Sequence, residues 1–127
     1  MQRVVIARAL AQESPILLLD EPTTALDIGK QQSVLDLVDS LRGSRDLTVL
    51  SAMHDLTIAG QFPDRLVLLS AGSVVAEGRG SEVLDPTLIR AHFGAEVRIF
   101  DDGFGGTVVV PVRSQDDINA SNPRPTK

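Results

Sequence analysis

Apolar residues fall along this chain in runs whose period changes from segment to segment. Residues 3–11 are apolar nearly all round, carrying Val4, Val5, Ile6, Ala7, Ala9, Leu10 and Ala11. That pattern predicts a helix buried on several sides rather than one lying on a surface. It opens with no capping segment ahead of it, which predicts further chain upstream. Ser14-Pro15 breaks it, and Ile16-Leu17-Leu18-Leu19 then runs straight into Asp20. A short continuous apolar run of this kind predicts a central strand covered on both faces. Asp27 suits the N-cap of the next helix. Within that helix Val34, Leu37, Val38 and Leu41 recur at i, i+3, i+4 and i+7 and draw one apolar stripe, and Gly43 is expected to end it.

Residues 47–52 predict a second strand, with Met53-His54-Asp55 at its C-terminal end, and a short helix follows over residues 56–61. Residues 65–70 and 73–77 predict a hairpin turning at Ala71-Gly72. Residues 81–84 and 86–93 are helical in pattern, with Pro86 suited to a first turn. Residues 96–101 and 107–112 predict a second hairpin around the loop Asp102-Gly103-Phe104-Gly105-Gly106. Residues 113–127 are polar, include Pro123 and Pro125, and are expected to form a disordered tail. There is no internal repeat. Strand–helix–strand alternation at this spacing implies α/β architecture with a parallel sheet and helices packed on it. In such sheets ligands bind beyond the carboxyl ends of the strands, and both Asp20-Glu21 and His54 fall at that edge.

Composition narrows the picture. A chain of 127 residues is one domain at most, and at 43% hydrophobic it is not disordered by composition. With no cysteine, disulfides and thiolate metal sites are excluded. Twelve basic against seventeen acidic residues leave a formal charge of −5, which argues against a nucleic-acid partner. No stretch approaches the roughly 18 consecutive apolar residues of a membrane span, and the N-terminus lacks the pattern of a signal peptide. Any membrane role must therefore run through a partner.

The candidate chemistry lies in Asp20-Glu21-Pro22-Thr23-Thr24-Ala25-Leu26-Asp27. An aspartate at a strand end can hold Mg²⁺ through water, because that ion prefers oxygen ligands and keeps much of its hydration. The glutamate after it points to the other face of an extended strand, so the turn at Pro22 must re-aim it before it can orient or deprotonate an attacking water. His54, at the end of the neighbouring strand, could hydrogen-bond a terminal phosphate and sense its presence. Each residue also has a plain structural alternative: a solvated strand end, a structural histidine, an N-cap. His92, without acidic neighbours, is taken as structural. The order and spacing of the set carry more information than any member. No phosphate-cradling G-x-x-x-x-G-K-[ST] loop occurs in the 127 residues.

Gln2-Arg3-Val4 through Ala7-Arg8-Ala9-Leu10, Leu17-Leu18-Leu19-Asp20-Glu21-Pro22-Thr23, Ala25-Leu26-Asp27, His54-Asp55 and the hairpin Gly72-Ser73-Val74-Val75-Ala76-Glu77-Gly78 together resemble ABC-transporter ATPase subunits over residues 2–93. The resemblance implies a partial P-loop NTPase-type parallel sheet with flanking helices and a C-terminal β-hairpin extension. It divides the chain into residues 1–94 as the C-terminal part of an ATPase domain, 95–112 as the hairpin extension and 113–127 as the tail. It implies ATP and Mg²⁺ as cofactors. It gives Asp20 the Walker B role on magnesium, Glu21 the catalytic glutamate's role, Asp27 the D-loop position at a head-to-tail ATPase dimer, and His54 the switch contact to the γ-phosphate. Met53 stands where the family usually has threonine. The family's signature sequence, Walker A loop and glutamine loop have no counterpart here, so the isolated chain is expected to bind ATP weakly or not at all.

The segment from Ile89 to Ile99 and the hairpin ending Val109-Val110-Pro111 are similar to ATPases of iron–siderophore, haem and cobalamin importers. The implied partners are transmembrane permease subunits and a second ATPase subunit, on the cytoplasmic side of the membrane. The alternative is a non-enzymatic remnant, or a regulatory partner of an intact ATPase. A soluble ATPase of translation or repair is disfavoured by the importer-like C-terminal segment and the acidic charge.

Overall fold

A computed structural model describes residues 2–113, with the side chains of Gln2 and Arg3 left out; the expected tail lies outside the described residues from position 114 onward. The elements in order are α1 (Gln2–Leu10), β1 (Ile16–Asp20), α2 (Ile28–Ser44), β2 (Thr48–Ala52), α3 (Leu56–Gln61), β3 (Leu66–Ser70), β4 (Ser73–Gly78), α4 (Gly80–Val83), α5 (Pro86–Phe93), β5 (Val97–Asp101) and β6 (Thr107–Pro111). The architecture is α/β, and the described residues divide into two compact units, one up to His54 and one from Asp55 onward.

In the first unit β1 and β2 pair in parallel, with Ile16 opposite Thr48, Leu18 opposite Leu50 and Asp20 opposite Ala52. Parallel neighbours need a crossover, and α2 supplies it. Asp27 caps α2 as the sequence predicts: its Oδ1 accepts the Lys30 backbone N–H at 2.9 Å. The helix runs through Gly43 to Ser44 and closes at Arg45, whose N–H donates to the Leu41 carbonyl. Gly43 is therefore a residue of the last turn and not the terminator. Ile6, Leu17, Val34, Leu35 and Leu47 are among the unit's buried apolar side chains.

Two burial expectations are corrected. The first strand is covered on one face only. Leu17 is buried, whereas Leu18 is 69% and Ile16 54% exposed, and the register partner Leu50 is 64% exposed. Helix α1 buries Ile6 and leaves Val4 and Val5 exposed. The reason is common to both: a segment apolar on every side is buried only where a layer packs against each side, and among the described residues only the Leu17 side of β1 is so covered.

In the second unit β3 and β4 form an antiparallel hairpin. Ala71 and Gly72, at φ 48° and 77°, both take the left-handed conformation that a two-residue hairpin turn requires. Asp85 caps α5 with Pro86 in its first turn, and Gly94 at φ 66° ends it. The β5–β6 hairpin pairs Val97 with Pro111 through Asp101 with Thr107. Leu84, Ile89 and Val109 form the buried core, joined by Leu56, Leu66, Ala95, Val97 and Ile99. Thr57 locks α3 to β6: its Oγ1 donates to the Val109 carbonyl at 2.8 Å and accepts the Val109 N–H at 3.0 Å.

Candidate functional site

The parallel pairing of β1 and β2 brings both carboxyl ends to one sheet edge. Asp20 is the last residue of β1, level with Ala52 at the end of β2. The ladder continues one step further, since the Glu21 N–H donates to the Ala52 carbonyl at 3.0 Å. Glu21 then departs from extended geometry with φ 45°. The re-aiming expected at Pro22 is thus made at Glu21 itself. The left-handed backbone turns its side chain off the strand's alternation, and Pro22 follows in the second position of a turn closed by the Thr24 N–H on the Glu21 carbonyl at 3.2 Å.

The redirected carboxylate meets two donors. His54 Nδ1 lies 3.1 Å from Glu21 Oε1, and Thr24 Oγ1 donates to Glu21 Oε2 at 3.1 Å. Both partners of the first contact are open to solvent, the His54 side chain 70% and that of Glu21 45% exposed. A proton on Nδ1 is the arrangement that contact requires, which leaves Nε2 pointing to other partners. A carboxylate offers about four lone-pair sites, so two donors leave room for a water on either oxygen. The edge therefore combines a solvent-accessible carboxylate with a histidine whose second nitrogen is free of the Glu21 contact.

Asp20 is exposed at the strand end. The described residues contain no group of three or more His, Cys, Asp or Glu side chains able to hold a metal ion. A single hard carboxylate at a strand end fits a Mg²⁺ that arrives with a polyphosphate and its waters, and not a caged resident metal. Asp27 is engaged elsewhere. Lys30 Nζ lies 2.9 Å from its Oδ2, and hydrogen bonds from the Lys30 side chain and backbone hold its carboxyl below the usual aspartate value. Of the four sequence-predicted residues, Glu21 and His54 meet, Asp20 adjoins Glu21 in sequence at the same edge, and Asp27 caps α2. Thr24 was not among the predicted residues. The signal for it was present, a hydroxyl residue three places after an acid in a proline turn.

No family profile matches the chain. Individual relatives do. The cobalamin import ATP-binding protein BtuD of Halobacterium salinarum is 46% identical over 109 residues, covering 86% of this chain and 27% of that protein. The ferric enterobactin transport ATP-binding protein FepC of Escherichia coli is 41% identical over 87% of this chain and 41% of its own length. The hemin import ATP-binding protein HmuV of Rhodococcus jostii is 40% identical over 89% and 39%. Among solved structures, an inward-facing ABC transporter of metal-chelate type superposes with a TM-score of 0.77 at 29% identity, over 89% of this chain and 46% of that one. A dimeric ATP-binding cassette bound to ADP and phosphate superposes at 0.56 with 40% identity, over 61% and 33%. The chain thus spans about a quarter to two fifths of the length of these curated relatives. Over the part it spans, in sequence and in fold, this chain is homologous to the ATP-binding proteins of ABC transporters.

Proposed function

We propose that this chain is the C-terminal part of an ABC importer ATPase, and that it carries the water-activating edge of the ATP site. The observation supporting this most directly is the Glu21–His54 contact at the carboxyl edge of a parallel strand pair. Phosphoryl transfer asks little covalent chemistry of a protein and much positioning. Glu21 orients the attacking water and accepts its proton. His54, held through Nδ1, turns Nε2 to an oxygen of the terminal phosphate. Asp20 would hold Mg²⁺ through water, and there the ion would supply charge neutralisation for the phosphate oxygens. Asp27 serves the boundary with a second ATPase subunit in addition to capping α2. Residues 1–94 form the ATPase portion and 95–112 an extension.

The cargo is an iron chelate, haem or cobalamin, the substrate classes named for the relatives. The partners are permease subunits and a second ATPase subunit, with the complex on the cytoplasmic face of the membrane. No described helix is long and apolar enough to cross a membrane. The phosphate cradle must come from sequence outside these 127 residues, since they contain no G-x-x-x-x-G-K-[ST] loop. That same observation favours the second reading, a non-enzymatic remnant or regulatory partner.

Reading the DNA upstream of the Met1 codon separates the two. An open frame containing the loop is expected. The complete protein it encodes is expected to hydrolyse ATP, and Glu21→Gln is expected to lower turnover by roughly 10²- to 10⁴-fold while ATP binding persists. A stop codon, or an active Glu21→Gln protein, overturns the proposal.

A further inference from the structure

We infer that Thr24 is a positioning residue for Glu21, holding its carboxylate in the orientation that meets His54. The role rests on the ATPase reading above. The hydroxyl closes a local loop. Thr24 N–H donates to the Glu21 carbonyl at 3.2 Å while Thr24 Oγ1 donates to Glu21 Oε2 at 3.1 Å. One residue thereby ties both the backbone and the side chain of the acid. Because the two are three positions apart in one turn, the contact is built into the segment itself.

The geometry at the carboxylate gives the contact its purpose. The Glu21 side chain has several rotatable bonds, and the exposed His54 contact reaches a single oxygen. The second donor, on the other oxygen, fixes the plane of the carboxylate as well. A base acts only if the proton it accepts lies within hydrogen-bond reach, so orienting the plane matters for turnover rather than for nucleotide affinity. The turn around Thr24 is itself anchored. Thr23 is buried and its carbonyl accepts the Gln31 side-chain amide at 3.3 Å, and the Leu26 N–H donates back to the Thr23 carbonyl. The Thr24 hydroxyl is therefore presented from a fixed backbone, while the side chain stays exposed.

Thr24→Val keeps the β-branched shape and deletes the donor, and Thr24→Ser keeps the donor on a smaller side chain. In the complete protein encoded by the frame containing this chain, Thr24→Val is expected to lower kcat roughly threefold to tenfold with KM for ATP unchanged, and Thr24→Ser to restore it. A second readout needs no turnover. In the nucleotide-free protein, the His54 ring ¹⁵N signals, assigned with His54→Asn, are expected to move in Thr24→Val and return in Thr24→Ser. An active wild type whose Thr24→Val form matches it in kcat and in the His54 signals overturns the role of Thr24 and leaves the ATPase reading standing. A wild type that hydrolyses no ATP, or the absence of such a frame, overturns both.

Discussion

Glu21 sits at φ 45°, where a residue with a side chain is strained by about 1–2 kcal/mol relative to ordinary backbone. Nothing in a hydrophobicity pattern marks that residue, yet the strain is what takes its carboxylate off the strand's alternation and onto His54. The backbone is held by the Ala52 carbonyl on one side and the Thr24 N–H on the other. Asp27 shows the opposite balance. Its role as a cap was legible from sequence because capping needs only a short acceptor before an apolar-periodic helix. Lys30 holds its carboxyl below the ordinary aspartate value, foremost through its side-chain hydrogen bond. A depressed folded-state value means the contribution to stability is present above the ordinary aspartate range and is lost as pH falls through the lowered value. Asp27→Ala is expected to lower the melting temperature at neutral pH and to narrow its difference from wild type in acid, measured by circular dichroism across a pH series.

At the scale of elements, the hairpin of β5 and β6 is fastened to α3 at two points. Thr57 exchanges hydrogen bonds with both backbone groups of Val109, a buried residue. Thr57→Val leaves those groups without partners and is expected to cost about 1–3 kcal/mol, with the Val109 amide exchanging faster with solvent. Gly60 makes the second point. A Cβ there would meet the Thr107 carbonyl oxygen, and Leu84 Cδ1 at 2.8 Å. Gly60→Ala is therefore expected to destabilise the second unit by about 1–3 kcal/mol, read from denaturant midpoints. The loop joining the two strands depends on Asp102. The backbone N–H groups of Phe104 and then Gly106 donate to its carboxylate and hold it below the usual range. The loop contacts are expected to be complete above about pH 4, the ordinary aspartate value, and to loosen below it. Amide exchange at Phe104 and Gly106 against pH checks this, with Asp102→Asn removing the dependence.

At the scale of the molecule, the feature that most sets this chain apart from a closed domain is the bare face of its parallel strand pair. Ile16, Leu18 and Leu50 stand on one side of a two-stranded sheet and remain exposed. Two strands offer two open edges, and an open apolar sheet invites association. The isolated 127-residue chain is expected to self-associate. Leu18→Lys with Leu50→Lys is expected to shift it toward monomer in sedimentation velocity without loss of helical signal. A soluble wild-type monomer with a cooperative unfolding transition would count against this.

The sequence by itself determined the element order, the α/β class and the family resemblance, because each depends on local periodicity, caps and motif spacing. The helix over residues 56–61, the turn at Ala71-Gly72, Pro86 opening α5 and Asp27 capping α2 all follow from chemistry contained within a few neighbours. It also placed Asp20-Glu21 and His54 at one sheet edge, since parallel strands must present the same end together. What only the tertiary structure decided was burial and side-chain direction. An all-apolar strand such as β1 carries no record of how many layers cover it, so the exposure of Leu18 could not be read from its composition. The contact among Glu21, His54 and Thr24 likewise required a left-handed backbone at an acidic residue, and that conformation is held by the Glu21 N–H donating to the Ala52 carbonyl and the Thr24 N–H donating to the Glu21 carbonyl rather than by glutamate's own preference.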